Sequence, residues 1–338
     1  MTKDTSLPVP IIIGLNAVIA IVDDGTPKTL CIRDTDDQFS LPYGPFDPIH
    51  HRTFEIGLKD WVQRQTQVRL GFIEQLYTFG DQGRAAPRAL IEGGTANGRI
   101  VSVGYLALAD RPAKTKSDNA SWRHWYEFFP WEDWRNGSPA LIADIILPNL
   151  IAWAEHGETE TEKLDRKDRI ALAFGMQEIG WEEERLLDRY ELMYEAGLVE
   201  EAWRDRADGG SPSPYADPKV RRLLGKPMAS DHRRILATAI GRLRGKLKYR
   251  AVVFELMPKE FTLLALQRVV EAIVGFKLHK QNFRRSVEGS KLVERTSKTV
   301  QQPSGRPAAL FSVYDETGVD RAARGLAIPR LRQSPGRR

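Results

Sequence analysis

The alternation of apolar and polar residues near the end of the chain predicts a short helix between a capping threonine and a glycine. Four apolar residues recur there at helical spacing, which indicates a helix with one buried face. They are Leu263, Leu266, Val270 and Ile273. Thr262 can cap the start of this helix with its hydroxyl. Gly275 can end it, because glycine adopts the left-handed turn without steric cost.

A second helix is predicted at about His279 to Glu288. Phe283 and Val287 lie four residues apart and would face inward. The other face is polar and basic. It carries Lys280, Gln281, Arg284 and Arg285.

Two short strand-like runs follow this helix. Leu292–Arg295 and Ala309–Val313 predict strands, and the polar, basic residues Thr296–Pro307 predict a loop between them. Tandem helices followed by a basic hairpin are the layout of a winged helix-turn-helix. Lys and Arg neutralise phosphates, whereas Arg, Gln and Asn can pair with base edges. The layout therefore predicts DNA binding, and the alternative is an ordinary solvated basic face.

The first part of the chain alternates strand-like and helical patterns. Ile11–Val22 and Thr29–Arg33 read as a hairpin across Asp24-Gly25. A helix is predicted from about Thr53 to Gln67, before further strands at Glu74–Asp81 and Arg99–Leu108. These elements predict a mixed α/β domain.

The middle of the chain is rich in tryptophan and then helical. The stretch SWRHWYEFFPWEDWR holds Trp122, Trp125, Trp131 and Trp134. Such rings could stack on an adenine, but a packed seam between domains is the better reading. Asp144 to about Arg206 predicts an acidic helical insertion, which ends at a flexible break, Gly209–Pro214.

Composition agrees with a cytoplasmic protein that has an anionic partner. The 338 residues carry a net charge of +5, and residues 276–338 hold fourteen Lys or Arg against five Asp or Glu. The single cysteine, Cys31, excludes an internal disulfide and is expected to pack within a strand. The chain has no long apolar run or leader pattern, and its six histidines make no zinc pattern, so neither a membrane nor a metal is expected.

The C-terminal motifs resemble those of the Nudix-related transcriptional regulators of NAD metabolism, the NrtR type. The similarity lies in FELMPKEFTLLALQRVVEAIVG, LHKQNFRR and GRPAALF. The preceding run Asp231–Tyr249 resembles the helix that leads into the regulator's DNA-binding domain. This resemblance implies that Gln281, Asn282, Arg284 and Arg285 enter a DNA groove and that Arg306 belongs to the wing. It also implies repression of genes of NAD synthesis or salvage, and a homodimer.

The N-terminal motifs LPYG, EQLYTFGD and RIVSVGYLAL are similar in order to those of ADP-ribose-type Nudix domains. The Nudix box, which clusters glutamates around magnesium, is degenerate. When Val68 is aligned with the end of the box, Trp61, Arg64 and Gln65 replace its glutamates, and Gln67 replaces its glycine. Glu55 and Asp60, five residues apart, are the only carboxylates between Arg52 and Val68.

The resemblance therefore implies a pocket that binds ADP-ribose or another NAD-derived nucleotide without hydrolysing it or holding a cofactor. The candidate effector-binding residues flank the matched motifs, where they could meet a diphosphate or an adenine. They are Arg33, Tyr43, Arg52, Phe79 and Arg84. The alternative is a Nudix-type hydrolase of nucleoside diphosphate derivatives with a basic appendage.

The expected fold is α+β, with a Nudix-like α/β/α domain at residues 1–135. A helical insertion and linker would follow at 136–229, and a winged-helix domain with a basic tail at 230–338.

Overall fold

The computed structural model describes residues 11–33, 38–68, 70–80, 99–112, 119–205, 217–301 and 307–314. Seven strands build the first sheet. They are β1 (Ile11–Asp23), β2 (Thr26–Arg33), β3 (Phe39–Ser40), β4 (Tyr43–Pro45), β5 (Phe72–Phe79), β6 (Arg99–Leu108) and β7 (Ala120–His124). Helix α1 (Phe54–Thr66) lies between β4 and β5, and α2 (Trp125–Phe128) follows β7.

The sheet is mixed, with the order β3-β2-β1-β6-β5. Strands β4 and β7 also pair with β1 and β2. The β1–β2 hairpin turns at Asp24 and Gly25, which both have positive φ, at 45° and 69°. This is the backbone that two-residue hairpins favour, so the predicted turn is confirmed. Strand β1 is parallel to β6, with Leu15 beside Val103.

Each face of the sheet packs against helices. Leu58 and Val62 of α1 pack with Leu15 in one hydrophobic cluster. Thr53 caps α1 by accepting the N–H of Ile56 at 3.2 Å, at about the position where the sequence predicted the helix to begin. Cys31 is fully buried, as expected, and burial raises the pKa of its thiol.

The middle of the chain is helical, as predicted. Its α-helices are α3 (Leu147–Glu155), α4 (Glu160–Ala173), α5 (Leu186–Glu195), α6 (Glu200–Asp205), α7 (Pro218–Leu223) and α8 (His232–Leu247). A π-helical turn at Ile142–Ile146 precedes α3, and 3-10 turns lie at Pro130–Glu132, Glu183–Arg185 and Val252–Leu256. The predicted break at 209–214 lies outside the described residues. No described helix is long and apolar enough to cross a membrane.

Helix α8 lies at the centre of the molecule and contacts β1, β5 and β6, the insertion helix α5 and the C-terminal part. A Cβ atom added to Gly104 of β6 would lie 3.1 Å from the Ile235 side chain, so α8 approaches the sheet closely at that glycine. Trp125, Trp131 and Trp134 are at most 4% exposed in the same hydrophobic cluster as α8. The packed seam is therefore the correct interpretation for these three tryptophans, whereas Trp122 is partly buried and packs against the other hydrophobic cluster.

The C-terminal part consists of α9 (Leu263–Val274), α10 (Lys280–Gly289) and a three-stranded sheet. The sheet order is β8 (Glu260–Phe261), β10 (Ala308–Val313) and β9 (Val293–Val300). The loop predicted to start at Thr296 is wrong for its first five residues, because β9 continues to Val300, which pairs with Ala308. Two threonines and a valine in that run favour strand structure, and cross-strand pairing overrides their polar appearance.

Candidate nucleic-acid and effector sites

Helix α10 presents a polar, basic face beside the β9–β10 hairpin. Phe283 and Val287 are 4% and 0% exposed and fix the inner face, as predicted. The predicted DNA-contacting residues of this helix are all exposed. They are Lys280, Gln281, Asn282, Arg284 and Arg285. Arg284 donates to Glu288 at 3.0 Å, and 61% of its side chain stays exposed. Arg306, predicted in the wing, lies outside the described residues.

Caps at both ends set the length of α9, which precedes this basic helix. The hydroxyl of Thr262 accepts the N–H of Ala265 at 3.1 Å. Gly275 ends the helix with a φ of 84°. Both predicted caps are confirmed.

Two buried polar side chains fix the turn between α9 and α10. One carboxylate oxygen of Glu271 accepts the N–H of Leu278 at 2.9 Å and the amide of Gln267 at 2.8 Å. The same amide donates to the Leu278 carbonyl at 3.0 Å. Sequence reasoning missed this pair. The available signal was two polar residues, four apart, on one side of a helix in which Arg268 is the other polar residue.

The end of α9 is also anchored to the rest of the molecule. The Tyr126 hydroxyl donates to the Ala272 carbonyl at 2.8 Å, and the Trp134 N–H donates to the Gly275 carbonyl at 2.7 Å. Arg244 of α8 donates to the Ile273 carbonyl at 2.8 Å. Hydrogen bonds therefore connect the tryptophan seam and α8 to the helix that precedes the basic helix.

A buried ionic cluster supports this connection. Glu132 binds Arg189 at 2.6 Å and Arg244 at 2.5 Å, and all three side chains are 0% exposed. Burial raises the pKa of Glu132, but the two guanidinium groups outweigh it and hold the pKa below its ordinary value. Because a buried charge is costly unless paired, Glu132 joins the insertion helix α5 to α8 as a carboxylate.

The predicted effector-binding residues fall into two environments. Tyr43 and Phe79 are 6% and 3% exposed and lie beneath the first turn of α8. The Tyr43 ring centroid lies 5.2 Å from that of His232, and the guanidinium of Arg234 lies 5.4 Å from that of Phe79. Their rings thus pack against protein.

The predicted effector-binding arginines that the structure describes are exposed. Arg33 lies over the Phe39 ring at 4.8 Å, and Arg52 precedes α1. Arg84 lies outside the described residues. The set therefore combines two buried rings with two surface arginines, and nothing in the sequence pattern distinguished these environments.

Helix α1 uses its polar residues to hold the LPYG segment. The side chain of Gln65 accepts the N–H of Tyr43 at 3.0 Å and donates to the Tyr43 carbonyl at 2.7 Å. Trp61 donates to the Pro45 carbonyl at 2.8 Å and covers Gly44, where an added Cβ atom would fall 2.0 Å from the ring. Arg64 lies 4.5 Å from the Trp61 ring and pairs with Asp60. Among the described side chains, no three His, Cys, Asp or Glu residues are grouped as metal ligands.

The fold and the exposed basic helix define a winged-helix protein joined to a sheet domain of Nudix type. Residues 253–313 match the family model described as the NrtR DNA-binding winged helix domain. The C-terminal part of this chain is therefore an NrtR-type winged helix, as the sequence motifs predicted.

Solved structures agree with the fold of the whole chain. Shewanella oneidensis NrtR complexed with a 27mer DNA aligns with a TM-score of 0.51 and 19% identity, over 89% of this chain and 93% of that one. Shewanella oneidensis NrtR alone aligns with the same TM-score and 20% identity, over 89% and 94% of the two chains. The α+β fold, with a Nudix-like domain before the winged helix, is confirmed.

One curated relative is similar over a shorter stretch. The ADPR responsive transcriptional repressor NtrR of Acinetobacter baylyi is 40% identical over 92 residues, which cover 27% of this chain. The match spans 36% of that repressor's length.

Proposed function

We propose that this protein is a DNA-binding transcriptional repressor of NAD-metabolism genes. ADP-ribose or a related NAD-derived nucleotide, held in its Nudix-like domain, would modulate DNA binding. The observation that carries the proposal is the basic outer face of α10 within an NrtR-type winged helix. Lys280 and Arg284 can meet phosphates, whereas Gln281, Asn282 and Arg285 can meet base edges.

The relatives support the nucleotide as effector. The similar Acinetobacter protein is named as an ADPR responsive repressor. DNA binding and nucleotide binding would be linked. A nucleotide that prefers the conformation with poorly placed α10 helices weakens DNA binding by a certain factor. DNA then weakens nucleotide binding by the same factor. A homodimer would place two α10 helices on two half-sites. A reducing cytoplasm suits the single buried thiol.

We further propose that the Nudix-like domain has lost hydrolysis. The positions aligned with catalytic glutamates hold Trp61, Arg64 and Gln65. Gln65 hydrogen-bonds Tyr43 of the LPYG segment, and Trp61 hydrogen-bonds Pro45, the residue after it. Gln67 supports this alignment, because its φ of 59° is the left-handed conformation that the closing glycine of a Nudix box would favour. Magnesium needs several carboxylate ligands, and α1 offers Glu55 and Asp60, which are engaged with Lys59 and Arg64.

The test uses the full chain and DNA that it selects from a random-sequence pool. Affinity for the selected site would be measured by fluorescence anisotropy at fixed salt, with and without ADP-ribose. We expect specific binding that ADP-ribose weakens. We also expect Arg285→Ala to reduce the binding free energy by about 1–3 kcal/mol, with unchanged ADP-ribose affinity by calorimetry.

Arg242→Ala, which removes an exposed arginine of α8 outside the winged helix, is the matched control and should bind like the wild type. Specific DNA binding that NAD-derived nucleotides do not change would reject the nucleotide-sensing function and keep the DNA-binding regulatory function. Failure to select any sequence would reject the regulator. Magnesium-dependent turnover of ADP-ribose, lost on changing Glu55 or Asp60, would instead establish the hydrolase.

A further inference from the structure

A cleft lies between the basic helix and the β9–β10 hairpin. It has a volume of about 350 Å³ and is lined by the start of α9, by α10 and by both strands. Three cationic side chains contribute to it, namely Lys280 and Arg284 of α10 and Arg295 of β9. No Asp or Glu is among the described residues that line it, although Arg284 also donates to Glu288 at 3.0 Å.

The periodicity of α10 divides its polar residues into two groups. Lys280 and Arg284 are four residues apart and share the side that lines the cleft. Gln281 and Arg285, also four apart, do not line it and occupy the neighbouring stripe. One helix therefore presents a cationic stripe toward the cleft and a separate stripe that can contact bases.

Arg295 completes the cleft from the hairpin. It is exposed and pairs across the strands with Phe311, which is 7% exposed and also lines the cleft. No ion pair of Arg295 with another described residue is present. On the same strand Lys298 does not line the cleft and binds Glu260 at 3.0 Å. The two cations of β9 thus have different surroundings.

The first turn of α9 adds donors. Thr262 caps the N–H of Ala265, and the Thr262 carbonyl accepts the N–H of Leu266. The first N–H groups of a helix lack intrahelical acceptors, and Leu263 and Leu264, the first two residues of α9, are among the residues that line the cleft. Cations beside the start of a helix match a phosphate, which is anionic and accepts hydrogen bonds only.

We propose that this cleft binds a phosphate of the DNA backbone, so that Lys280, Arg284 and Arg295 position the protein. Gln281, Asn282 and Arg285 then read the bases. The inference rests on the proposed DNA-binding function and assigns a positioning role to Arg295, which the sequence motifs did not single out. Phosphate contacts set register and affinity but carry no base information.

The experiment measures the affinity of the full chain for its selected DNA across a salt series. Loss of one phosphate contact lowers the slope of log affinity against log salt by about 1. We therefore expect Arg295→Gln to lower the slope by that amount, so that the ratio of wild-type to variant affinity is about fivefold larger at 0.15 M salt than at 1 M salt. The loss should be equal for the selected site and for single-base variants of it. Lys298→Gln, which removes a cation of the same strand that is already paired, should change the slope by less than half as much.

Other results would overturn the inference. Equal losses for Arg295→Gln and Lys298→Gln would mean a general charge effect, and an altered base preference for Arg295→Gln would mean a base contact. A cleft that holds free phosphate instead of DNA would give a different result when inorganic phosphate replaces chloride at constant ionic strength. The phosphate would then compete with DNA for the wild type but not for Arg295→Gln. If the wild type selects a site and Arg295→Gln binds that site with unchanged affinity and salt slope, the cleft does not bind a phosphate of the DNA. The proposed regulatory function would still stand. Wild-type protein that selects no site would reject the regulator and this inference together. Unchanged thermal unfolding of each variant shows that the fold is intact.

Discussion

At the scale of single residues, His232 is a buried histidine held in its neutral form. It is 1% exposed, and its Nδ1 atom accepts the N–H of Leu41 at 3.0 Å. Burial, with a smaller effect of Arg204, lowers the pKa of His232 to about 3. A neutral acceptor at this position joins the first turn of α8 to the LPYG segment.

This histidine makes the stability of the protein depend on pH. The unfolded chain binds the proton near pH 6.5, whereas the folded chain excludes it until about pH 3. The stabilisation is therefore complete above pH 6.5 and is lost as the pH falls. Between pH 6.5 and about pH 3, we expect His232 to lower the free energy of unfolding by about 1.4 kcal/mol for each unit by which the pH falls.

Urea unfolding of the wild type and of His232→Asn over a pH series would measure this contribution. The asparagine oxygen can accept the Leu41 N–H but does not titrate in this range. The difference between the two proteins should shrink as the pH falls below 6.5. His156→Asn, which changes an exposed histidine, is the control. A pH-independent difference for His232→Asn would contradict the assigned neutral state.

At the scale of elements, the turn between α9 and α10 sets the direction of the basic helix. Glu271→Leu would leave the Leu278 N–H without its acceptor and would remove one of the two acceptors of the Gln267 amide. Each unsatisfied buried group costs about 1–3 kcal/mol. We expect lower stability and weaker binding to the selected DNA, although Glu271 is buried and cannot contact DNA itself.

Glu271→Gln is the matched variant, because it removes the charge and keeps an oxygen acceptor. Its stability and DNA affinity should stay closer to those of the wild type than those of Glu271→Leu. Thermal unfolding and anisotropy on the same samples give both quantities. Equal effects of the two substitutions would show that the charge of Glu271, and not its acceptor, holds the turn.

The elements that the sequence predicted well are those with local determinants. The caps at Thr262 and Gly275 and the apolar spacing between them fix α9 without reference to the rest of the chain. The exposed face of α10 followed in the same way from Phe283 and Val287. The extent of β9 did not, because its pairing with β10 decides where the strand ends.

The surroundings of the predicted effector-binding residues were harder to predict from the sequence, for a physical reason. Tyr43 and Phe79 flank recognisable motifs, yet both rings pack under α8, whose first turn is far away in the sequence. The hydrogen bond between Leu41 and His232 spans 191 residues. Local pattern cannot distinguish an aromatic ring that faces a ligand from one that faces such a distant helix.

At the scale of the whole molecule, the winged helix and the Nudix-like sheet share one continuous hydrophobic core. The cluster that begins at the sheet with Val18 and Leu106 continues through Leu236 of α8 to Leu266 of α9. The anchors on Ala272, Ile273 and Gly275 lie along this core. A change at the sheet can therefore reach α10 through packed elements of the described part of the chain.

Tyr126→Phe tests whether these anchors carry the effect of the nucleotide. Burial raises the pKa of Tyr126 to about 12, so its hydroxyl remains a donor to Ala272 at neutral pH. Removing one hydrogen bond shifts an equilibrium between docked and undocked α9 by about 1 kcal/mol. If the DNA-bound and nucleotide-bound conformations differ in this docking, the ratio of DNA affinities without and with saturating ADP-ribose should change by up to about fivefold.

The measurement is a four-state cycle of DNA affinity in the presence and absence of ADP-ribose, for the wild type and the variant. Tyr249→Phe provides the control, because this side chain is 53% exposed at the end of α8. It should leave both stability and the affinity ratio unchanged. A Tyr126→Phe protein that is less stable but keeps the wild-type ratio would show that α9 is docked identically in both conformations. The coupling would then have to pass through another contact, such as the interface of the proposed homodimer.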